Sequence, residues 1–344
     1  MKTLARRVMY FGYYLKQLDR ARLAKFMAYV QREKGWSRAR QWRRILRDSL
    51  RFNVSILEYY QFRFFDLSDA EKATWAGTGT MYEFQRRANP PGSRALLEDK
   101  RRFHEAYRKY FRHEARTLEE LEQDPALVGQ LLEQHRELVF KPASGNCGVG
   151  IAFVESRTLS ADGLVPWMRS RNFDLVESRV AQHPALQTLS PSGVNTVRVF
   201  TCLDEKDRCQ ILGCRLRLSV NSPVDNMAAG NLAASVEEET GRVYGPGVYS
   251  DITRAPEALH PVTGISIKNF QIPFWPETLA MVREASELHT QNRSIGWDIV
   301  ITSEGPGLIE GNHDWCKLVW QLPVGRGLKL ILDDCATATV GNSK

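Results

Sequence analysis

The stretch LVFKPASGNCGVGIAFVE, residues 138–155, places a lysine and three glycines between two apolar segments that are typical of β-strands. The glycines, Gly145, Gly148 and Gly150, need a reason, because glycine costs conformational entropy and is used where backbone adopts positive φ or approaches a ligand. Lys141 stands four residues ahead of the first of them. A strand–loop–strand hairpin of this composition predicts an anion site, with phosphate as the first candidate.

The order of the residues in this loop excludes two common phosphate-binding loops. A P-loop carries its lysine after the glycines, and a protein kinase places its lysine on the strand after a GxGxxG loop. Here Lys141 precedes the glycines, and the chain contains neither H-R-D nor D-F-G. The alternative without a ligand is a glycine-rich hairpin with a surface lysine.

Further along the chain, SIGWDIVITSEGPGLIEGNHD (residues 294–314) reads as two strands joined by a turn-rich link. Glu310 and Asn312 are two residues apart, so their side chains face the same side of the sheet, and Asp298 on the partner strand can meet them. Oxygen ligands of this kind suit Mg²⁺. The alternative for Asp298, which lies in an apolar strand, is a buried salt bridge to an arginine.

Arginines occupy the two strand-like segments between these sites. Arg198 lies in VNTVRVFTCL, and Arg215 and Arg217 alternate with apolar residues in ILGCRLRLS. The alternation sends Arg215 and Arg217 to one face of a strand. Arginine binds carboxylate or phosphoryl groups bidentately, although strand arginines are also common at solvent-exposed positions. Together with the loop and the carboxylates they predict a site for phosphoryl chemistry.

The composition of the 344 residues is that of a globular protein with one large or two medium domains, 43% hydrophobic and 25% charged. No window approaches 18 uninterrupted apolar residues, and the N-terminus does not read as a secretory signal. The six cysteines show no CxxC and no metal-ligand spacing. Such scattered thiols favour a reducing compartment, so we expect a cytoplasmic protein.

Positive charge is concentrated at the N-terminus. Residues 1–60 contain 15 Lys and Arg against 4 Asp and Glu, whereas the remainder holds 32 basic and 36 acidic residues. Apolar residues at helical spacing predict helices that pack through Leu4, Val8, Phe11, Leu15, Leu18, Leu23, Phe26, Met27 and Val30, and a second stretch, residues 40–57, mixes Trp42, Ile45, Leu46 and Leu50 with arginines. The favoured interpretation is helices with one packed face and a solvated basic face. A weak association with an anionic membrane surface is the alternative.

The secondary-structure pattern changes near residue 135. The part before it is mostly helical, with capping boxes predicted at Ser68 with Glu71 and at Thr117 with Glu120. The part after it is rich in short strands bounded by Gly, Pro, Asn or Ser, with one helical stretch at residues 276–290. The fold class predicted is therefore α+β, with a helical front and a mainly antiparallel, strand-rich back.

The order Lys, glycine-rich loop, Glu, Arg, Arg, Asp, Glu-x-Asn resembles the ATP-grasp superfamily. The segments QHPALQTLSPSGVNTVRVFT, VDNMAAGN, HPVTG, IGWDIVIT and LIEGN resemble, more narrowly, its sugar-transfer-associated family. The resemblance covers roughly residues 55–330. It implies two α+β subdomains that clamp ATP, here about residues 96–180 and 181–344, with residues 1–60 as a basic helical extension and 61–344 as the catalytic region.

The resemblance also implies roles for single residues. Val176, Glu177 and Ser178 would lie at the adenine hinge, His183 is a candidate for ribose contact or for a supporting role, and Arg198 and Arg217 would stabilise the transferred phosphoryl group. The full set expected to hold ATP is Lys100, Lys141, Ser144, Gly145, Gly148, Gly150, Val176, Glu177, Ser178 and His183. The Mg²⁺ ligands would be Asp298, Glu310 and Asn312. Two departures from the family pattern are Asn231 after Gly230 and the helical front end.

Three functional classes follow for this chain. The first, which we favour, is an ATP-dependent ligase that activates a small-molecule carboxylate as an acyl phosphate and joins it to an amine. The second is a small-molecule kinase on the same fold. The third is a non-enzymatic anion- or nucleic-acid-binding protein that uses residues 1–60, although no nucleic-acid partner is expected. The identity of the substrates and the oligomeric state do not follow from the sequence.

Overall fold

The computed structural model describes residues 2–145 and 150–340. The N-terminal third is built from helices α1 (Lys2–Lys16), α2 (Arg20–Lys34), α3 (Arg38–Phe52), α4 (Ile56–Gln61), α5 (Asp69–Ala73), α6 (Thr78–Ala88), α7 (Pro91–Glu98) and α8 (Lys100–Tyr107). The next elements are β1 (Ala115–Thr117), α9 (Leu118–Gln123), α10 (Ala126–Gln134), β2 (Glu137–Lys141), β3 (Ala152–Glu155), α11 (Ala161–Ser170), β4 (Leu175–Ser178) and α12 (Pro184–Leu189). The chain continues with β5 (Thr196–Leu203), β6 (Cys209–Leu218), β7 (Leu232–Val236), α13 (Trp275–Leu288), β8 (Ser294–Thr302), β9 (Gly305–Asn312), α14 (Lys317–Gln321) and α15 (Lys329–Val340).

Local capping interactions fix where the early helices begin. The Ser68–Glu71 and Thr117–Glu120 capping boxes predicted from the sequence both form, at the starts of α5 and α9. A third capping box, Ser55 with Glu58, starts α4. Each box satisfies helix N–H groups that have no partner inside the helix. The mostly helical front predicted from the sequence is confirmed.

The N-terminal helices share one apolar core. It contains the predicted residues Leu23, Phe26, Met27 and Val30 of α2, and it extends as far along the chain as Trp75. The predicted packing face of α1 is wrong in part, because Tyr14 is buried whereas Val8 and Leu15 are exposed. In α3 the same division appears, with Ile45 buried and with Trp42 and Leu46 exposed. This core includes residues on both sides of position 60. The predicted division between residues 1–60 and 61–344 therefore stays a prediction.

The first sheet carries the glycine-rich loop. Its strand order within the described residues is β1-β4-β2-β3, and all pairs are antiparallel. Strands β2 and β3 form the hairpin predicted from the sequence, with Phe140 opposite Ala152. Helices α9, α10 and α11 cover one face through a core that includes Leu131, Leu138 and Phe140. The glycine-rich loop thus begins directly after Lys141, the last residue of β2.

The second sheet, in the described order β7-β6-β5-β8-β9, is also antiparallel. Its strand residues alternate between two faces. One face packs on α8 and α13 through residues such as Val199, Leu216 and Trp297. The opposite face carries Arg198, Arg217, Asp298 and Glu310 at one end and Phe200 and Leu212 at the other, under α14 and α15. Four neighbouring strands, β6, β5, β8 and β9, therefore hold these polar residues on one sheet face.

Two features of the fold depart from the sequence-based expectations. Strands β1 and β7 were not anticipated, since ART and LAASV are too short or too small-residue-rich to signal strands. A disulfide joins Cys202 to Cys335, so the expectation of six free thiols is wrong for this pair. No helix among the described residues combines the length and the apolarity needed to cross a bilayer.

Candidate active site

A cavity of about 380 Å³ lies between the two sheets. One wall is formed by Lys100, Lys141, Gly145 and Glu177 from the first sheet and α8. The other wall is formed by residues of the second sheet and its loops: Thr196, Arg217, Asp225, Asn226, Asp298 and Glu310. The structure therefore brings the loop lysine and the downstream carboxylates, which are more than 150 positions apart in the chain, to one cavity.

The start of the glycine-rich loop is fixed by hydrogen bonds. The Ala143 N–H donates to Asp174 Oδ2 at 2.6 Å, and the Ala143 carbonyl accepts from the Lys100 N–H at 2.9 Å. Lys100 Nζ in turn donates to the Gly145 carbonyl at 2.7 Å. Gly145 and Gly150 have φ of 129° and 79°, values that other residues rarely adopt, which explains glycine at both positions. The predicted residue Ser144 is exposed, and Gly148 lies outside the described residues.

Lys141 forms an ion pair with Glu177, whose carboxylate also lies 3.5 Å from His113 Nε2. Burial by itself would raise the pKa of Glu177, but Lys141 and His113 lower it from 4.5 to about 2. Glu177 is therefore ionised and holds Lys141 in the cavity wall. His113 was missed by the sequence analysis, and its side chain is buried against Phe111 with a ring separation of 5.0 Å.

The Glu177 pair predicts a pH dependence of stability. Because the pKa of Glu177 is lower in the folded protein, the ionised carboxylate stabilises the fold above pH 4.5, and this contribution is lost as the pH falls toward 2. The free energy of unfolding of the wild type should fall between neutral and acidic pH. In Glu177→Gln we expect this fall to be smaller by about 3 kcal/mol. Urea unfolding of the wild type and of Glu177→Gln, from neutral to acidic pH, measures this fall in stability. The matched control is Glu155→Gln. Glu155 is the last residue of β3, and its ion pair with Arg157 is exposed to solvent. Parallel curves for wild type and Glu177→Gln would contradict the assignment.

The family resemblance implies that Val176 and Ser178 offer main-chain hydrogen bonds at the adenine hinge, and in the structure their main-chain groups have partners within the protein. Val176 lies in β4 between β1 and β2, so its N–H and C=O belong to the sheet. The Ser178 N–H donates to the Glu114 carbonyl at 2.8 Å, and Ser178 Oγ accepts from the Glu114 N–H at 3.0 Å. The cavity lining continues past the strand end to Arg179 and Val180.

His183 caps a helix instead of lining the cavity. Its Nδ1 accepts from the Ala185 N–H at 3.1 Å at the start of α12, and its own N–H donates to the Ile301 carbonyl at 2.7 Å. Gln182 accepts from Asn195 N and Nδ2 at 3.1 and 2.9 Å. Of the two roles considered for His183, the geometry favours the supporting one.

The buried centre of the second wall is a network of two arginines and two aspartates. Arg198 and Arg217 both bind Asp298, Arg217 at 2.9 Å, and Arg217 also binds Asp225 at 2.6 Å. Thr196 donates to Asp225 from its N–H at 2.8 Å and from Oγ1 at 2.6 Å. Burial would raise the pKa of Asp298, but the two arginines hold it well below its usual range. The salt-bridge alternative for Asp298 is thus what the structure contains.

Glu310 and Asn312 lie beside this network, and within the described parts of the chain no lysine or arginine forms an ion pair with Glu310. Asp298 pairs with Glu310 across β8 and β9, and a bulge after Asp298 makes Ile309 the extra residue. Asn312 Nδ2 donates to Glu310 Oε1 at 3.2 Å. Burial and the negative charge of Asp298 raise the pKa of Glu310. The hairpin and the shared face predicted from the sequence are confirmed.

The three expected metal ligands differ in whether their oxygen atoms are available to a cation. Glu310 offers oxygen donors at the wall of the cavity, and Asn312 lines a smaller pocket that shares Glu310 and Lys141 with it. The Asp298 oxygens, in contrast, are engaged by arginines. Among residues 2–145 and 150–340, no cluster of three His, Cys, Asp or Glu residues has metal-binding geometry. The part played by Asp298 as a metal ligand stays a prediction.

Other expected and unexpected residues have structural roles. Arg215 is turned away from the site, and it donates to the Trp320 carbonyl from Nε at 2.9 Å. Asn231, a departure from the family pattern, is fully buried; its Nδ2 donates to the Val224 carbonyl at 2.7 Å and its Oδ1 accepts from the Val220 N–H at 2.8 Å. It therefore shapes the loop that presents Asp225. Asp225 itself was missed, although an acid inside the VDNMAAGN motif was an available signal.

The chain is similar to several solved structures, at low identity. PurK, an N5-carboxyaminoimidazole ribonucleotide synthetase solved with ADP, is 10% identical over 64% of this chain and 45% of its own, with a TM-score of 0.38. D-cycloserine synthetase DcsG is 10% identical over 82% of both chains, with a TM-score of 0.42. D-alanyl-alanine synthetase A from Vibrio cholerae O1 biovar eltor is 10% identical over 72% of this chain and 66% of its own, with a TM-score of 0.43. The chain thus spans less than half the length of PurK.

A search of curated proteins finds no match to the chain. A family model does match it: the model of the sugar-transfer associated ATP-grasp family covers residues 80–336. This range contains both walls of the cavity and leaves the basic helices α1–α3 outside. The two antiparallel sheets and the α+β architecture agree with the fold that the sequence resemblance implied, and the helical N-terminal region agrees with the pattern read from the sequence. The chain belongs to the sugar-transfer associated ATP-grasp family.

Proposed function

We propose that the protein is an ATP-dependent ligase that joins a small-molecule carboxylate to an amine. The observation that carries the proposal is the cavity between the sheets, where two lysines face a buried Arg–Asp network and a carboxylate with a raised pKa. Such an arrangement offers positive charge for phosphate groups on one side and for a reacting phosphoryl group on the other. Family membership supports the use of ATP.

In this proposal the first sheet holds the nucleotide. Lys141 and Lys100 bind phosphate oxygens, and the loop that begins at Ser144 covers them with its backbone N–H groups. Glu177, which holds Lys141 in the free protein, keeps the lysine directed into the cavity. The adenine lies near the end of β4, toward Arg179 and Val180, which line the same cavity.

The second sheet holds the metal and the reacting groups. Mg²⁺ would be held by Glu310 and Asn312, with Asp298 as the third residue of the predicted set, and when bound it would neutralise charge on the transferred phosphoryl group. A cation beside Glu310 relieves the repulsion from Asp298 that raises its pKa. Arg198 and Arg217 are already oriented by Asp298 and Asp225, so little reorganisation is needed when charge develops beside them.

The proposed reaction has two steps. A carboxylate oxygen of the substrate attacks the γ-phosphorus of ATP, the bond from γ-phosphorus to the bridging oxygen breaks, and ADP leaves. The amine nitrogen then attacks the acyl carbon, the carbon–oxygen bond to phosphate breaks, and phosphate and one amine proton are released. The enzyme supplies positioning and charge neutralisation, which carry most of phosphoryl-transfer catalysis.

The described cavity lining favours direct transfer between substrates over a covalent enzyme intermediate. Its hydroxyl groups are engaged: Thr196 Oγ1 donates to Asp225, and Ser178 Oγ accepts from Glu114. No histidine lines it among the described residues. Candidate substrates are an amino acid or amine with a sugar acid, or the two halves of a small peptide-like amide.

The experiment that tests the proposal is an ADP-release screen of amines and carboxylates taken in pairs, with mass spectrometry of the products. A ligase releases ADP and phosphate only when both partners are present, and its product contains an amide. A kinase would instead leave phosphate on a single substrate. Turnover with neither outcome would overturn both assignments.

Nucleotide binding gives a second prediction, which does not need the substrates. Lys141→Met is expected to weaken Mg²⁺–ATP binding about tenfold to a hundredfold, because a charge-assisted contact to phosphate is lost. Isothermal titration calorimetry measures the effect. The matched control is Lys268→Met, an exposed lysine outside the cavity. Wild-type affinity in Lys141→Met would remove the lysine from the nucleotide site.

A further inference from the structure

The outer faces of α1 and α3 carry large apolar side chains that are substantially exposed. These side chains are Val8, Met9, Tyr13, Leu15, Trp42 and Leu46, each between 37% and 64% exposed. The inner faces of the same helices already supply Tyr14 and Ile45 to the core. Helices α1 and α3 are neighbours in the fold. Exposed large apolar side chains grouped on neighbouring helices are typical of an interaction site.

Folding removes two of the four acidic residues of this region from the surface. Of the four acidic residues in 1–60, Asp48 and Glu58 are buried and neutralised by lysines outside the segment, Lys72 at 2.7 Å and Lys317 at 2.8 Å. The basic residues remain largely exposed. Carboxylates outside the segment also pair with some of its arginines: Asp69 with Arg47 and Arg51, and Glu83 with Arg6.

Helix α3 shows the two properties side by side. Trp42 and Leu46, one turn apart, form an exposed apolar stripe, which Leu50 continues half-buried. Arg38 and Arg43 flank the stripe, and no ion pair is found for either within the part of the chain that the structure describes. The guanidinium groups of Arg40 and Arg44 lie over the Trp36 ring at 4.4 and 4.7 Å rather than on a carboxylate.

We propose that the outer face of α1 and α3 binds an anionic lipid surface, with the helices lying in the plane of the interface. Exposed Trp, Leu, Val and Met enter the headgroup region, and the flanking arginines meet lipid phosphates, which is the combination that interfacial helices use. No described helix spans a bilayer, so the contact is peripheral. This proposal goes beyond the proposed ligase activity and does not depend on it.

An anionic lipid surface complements the outer face of α1 and α3 better than two other possible partners do. A nucleic-acid surface would use the arginines but leaves Met9, Tyr13 and Leu46 without an apolar partner. A second copy of the chain, related by a two-fold axis, would bring the same uncompensated arginines of both copies together. An anionic bilayer accepts both the apolar and the basic side chains.

The test is co-sedimentation of the full-length protein with sucrose-loaded vesicles. We expect binding to vesicles of equal parts phosphatidylcholine and phosphatidylglycerol, and little binding to phosphatidylcholine alone. The pair Arg38→Gln and Arg43→Gln should reduce partitioning about fivefold for each charge removed. The pair Trp42→Ser and Leu46→Ser should reduce it roughly tenfold or more, because both side chains are exposed and lose only membrane contact.

The matched control is Leu259→Ser, which removes a leucine of similar exposure outside residues 1–60 and should bind vesicles normally. Since all substituted side chains are exposed, circular dichroism should be unchanged. Three results would overturn the proposal: no preference for the anionic vesicles, salt-sensitive RNA or DNA binding that survives Trp42→Ser with Leu46→Ser, or a dimer in solution that those two changes dissociate. Each result is independent of ADP release, so failure here leaves the ligase proposal standing.

Discussion

Glu310→Gln is expected to reduce ATP-dependent ADP release about a thousandfold or more while the protein stays folded. The amide keeps an oxygen for the hydrogen bond from Asn312, but it cannot carry the negative charge that a bound Mg²⁺ requires. Folding should not suffer, since burial and Asp298 already disfavour the charged form of Glu310. Steady-state ADP release with the best substrate pair measures the loss.

The hairpin offers a matched control for this variant. Glu304 lies in the turn between β8 and β9, is exposed, and has the same side chain. Glu304→Gln should therefore retain full activity. A second measurement keeps the prediction independent of substrate: Mg²⁺–ADP should raise the melting temperature of wild type and of Glu304→Gln more than that of Glu310→Gln. Equal turnover in the two variants would remove Glu310 from the site.

Arg217→Gln is expected to lower the free energy of unfolding by about 3–5 kcal/mol. The substitution leaves Asp225 and Asp298 buried with their shared counterion removed, and Asp298 keeps only Arg198. The loss therefore reflects one carboxylate, Asp225, left without its cation and a second, Asp298, left with one arginine of two. Urea unfolding at neutral pH measures the change through the denaturation midpoint.

The control for Arg217→Gln is Arg208→Gln, at the β5–β6 turn of the same sheet. Arg208 pairs with Asp204 at 3.0 Å, but it is exposed, so the expected loss is about 0–1 kcal/mol. Adding Asp225→Asn to Arg217→Gln should recover part of the stability, because the uncompensated charge is removed. A loss below about 1 kcal/mol in Arg217→Gln would mean that the network is not held by this residue.

Local patterns in the sequence were sufficient for the elements that build the site. The apolar runs around Lys141 and Asp298 gave the two hairpins, and the capping residues Ser68 and Thr117 gave helix starts, because these structures are formed by neighbours in the chain. The period-2 spacing of Glu310 and Asn312 gave their common face. Family motifs then connected the hairpins into one expected site, and the family itself is confirmed.

The partners of the charged side chains were not available from local pattern. Arg198 and Arg217 read as ligands for a substrate, yet both are engaged by Asp298, and Arg217 is shared with Asp225 from a loop that no periodicity marks. Ser178 was expected to offer a main-chain hydrogen bond, but β1, a three-residue strand that was not anticipated, brings Glu114 to it. These contacts join residues far apart in sequence.

The sequence by itself therefore determined the α+β class, the glycine-rich loop after Lys141, the carboxylate hairpin and the basic character of the N-terminus. Only the tertiary structure decided that Lys141 is held by Glu177, that the Asp298 oxygens are occupied by arginines, and that Trp42 and Leu46 face outward. The physical reason is that hydrogen-bond direction and strand alternation repeat over a few residues and can be seen locally. Charge pairing and burial depend instead on which surfaces meet after the chain has folded.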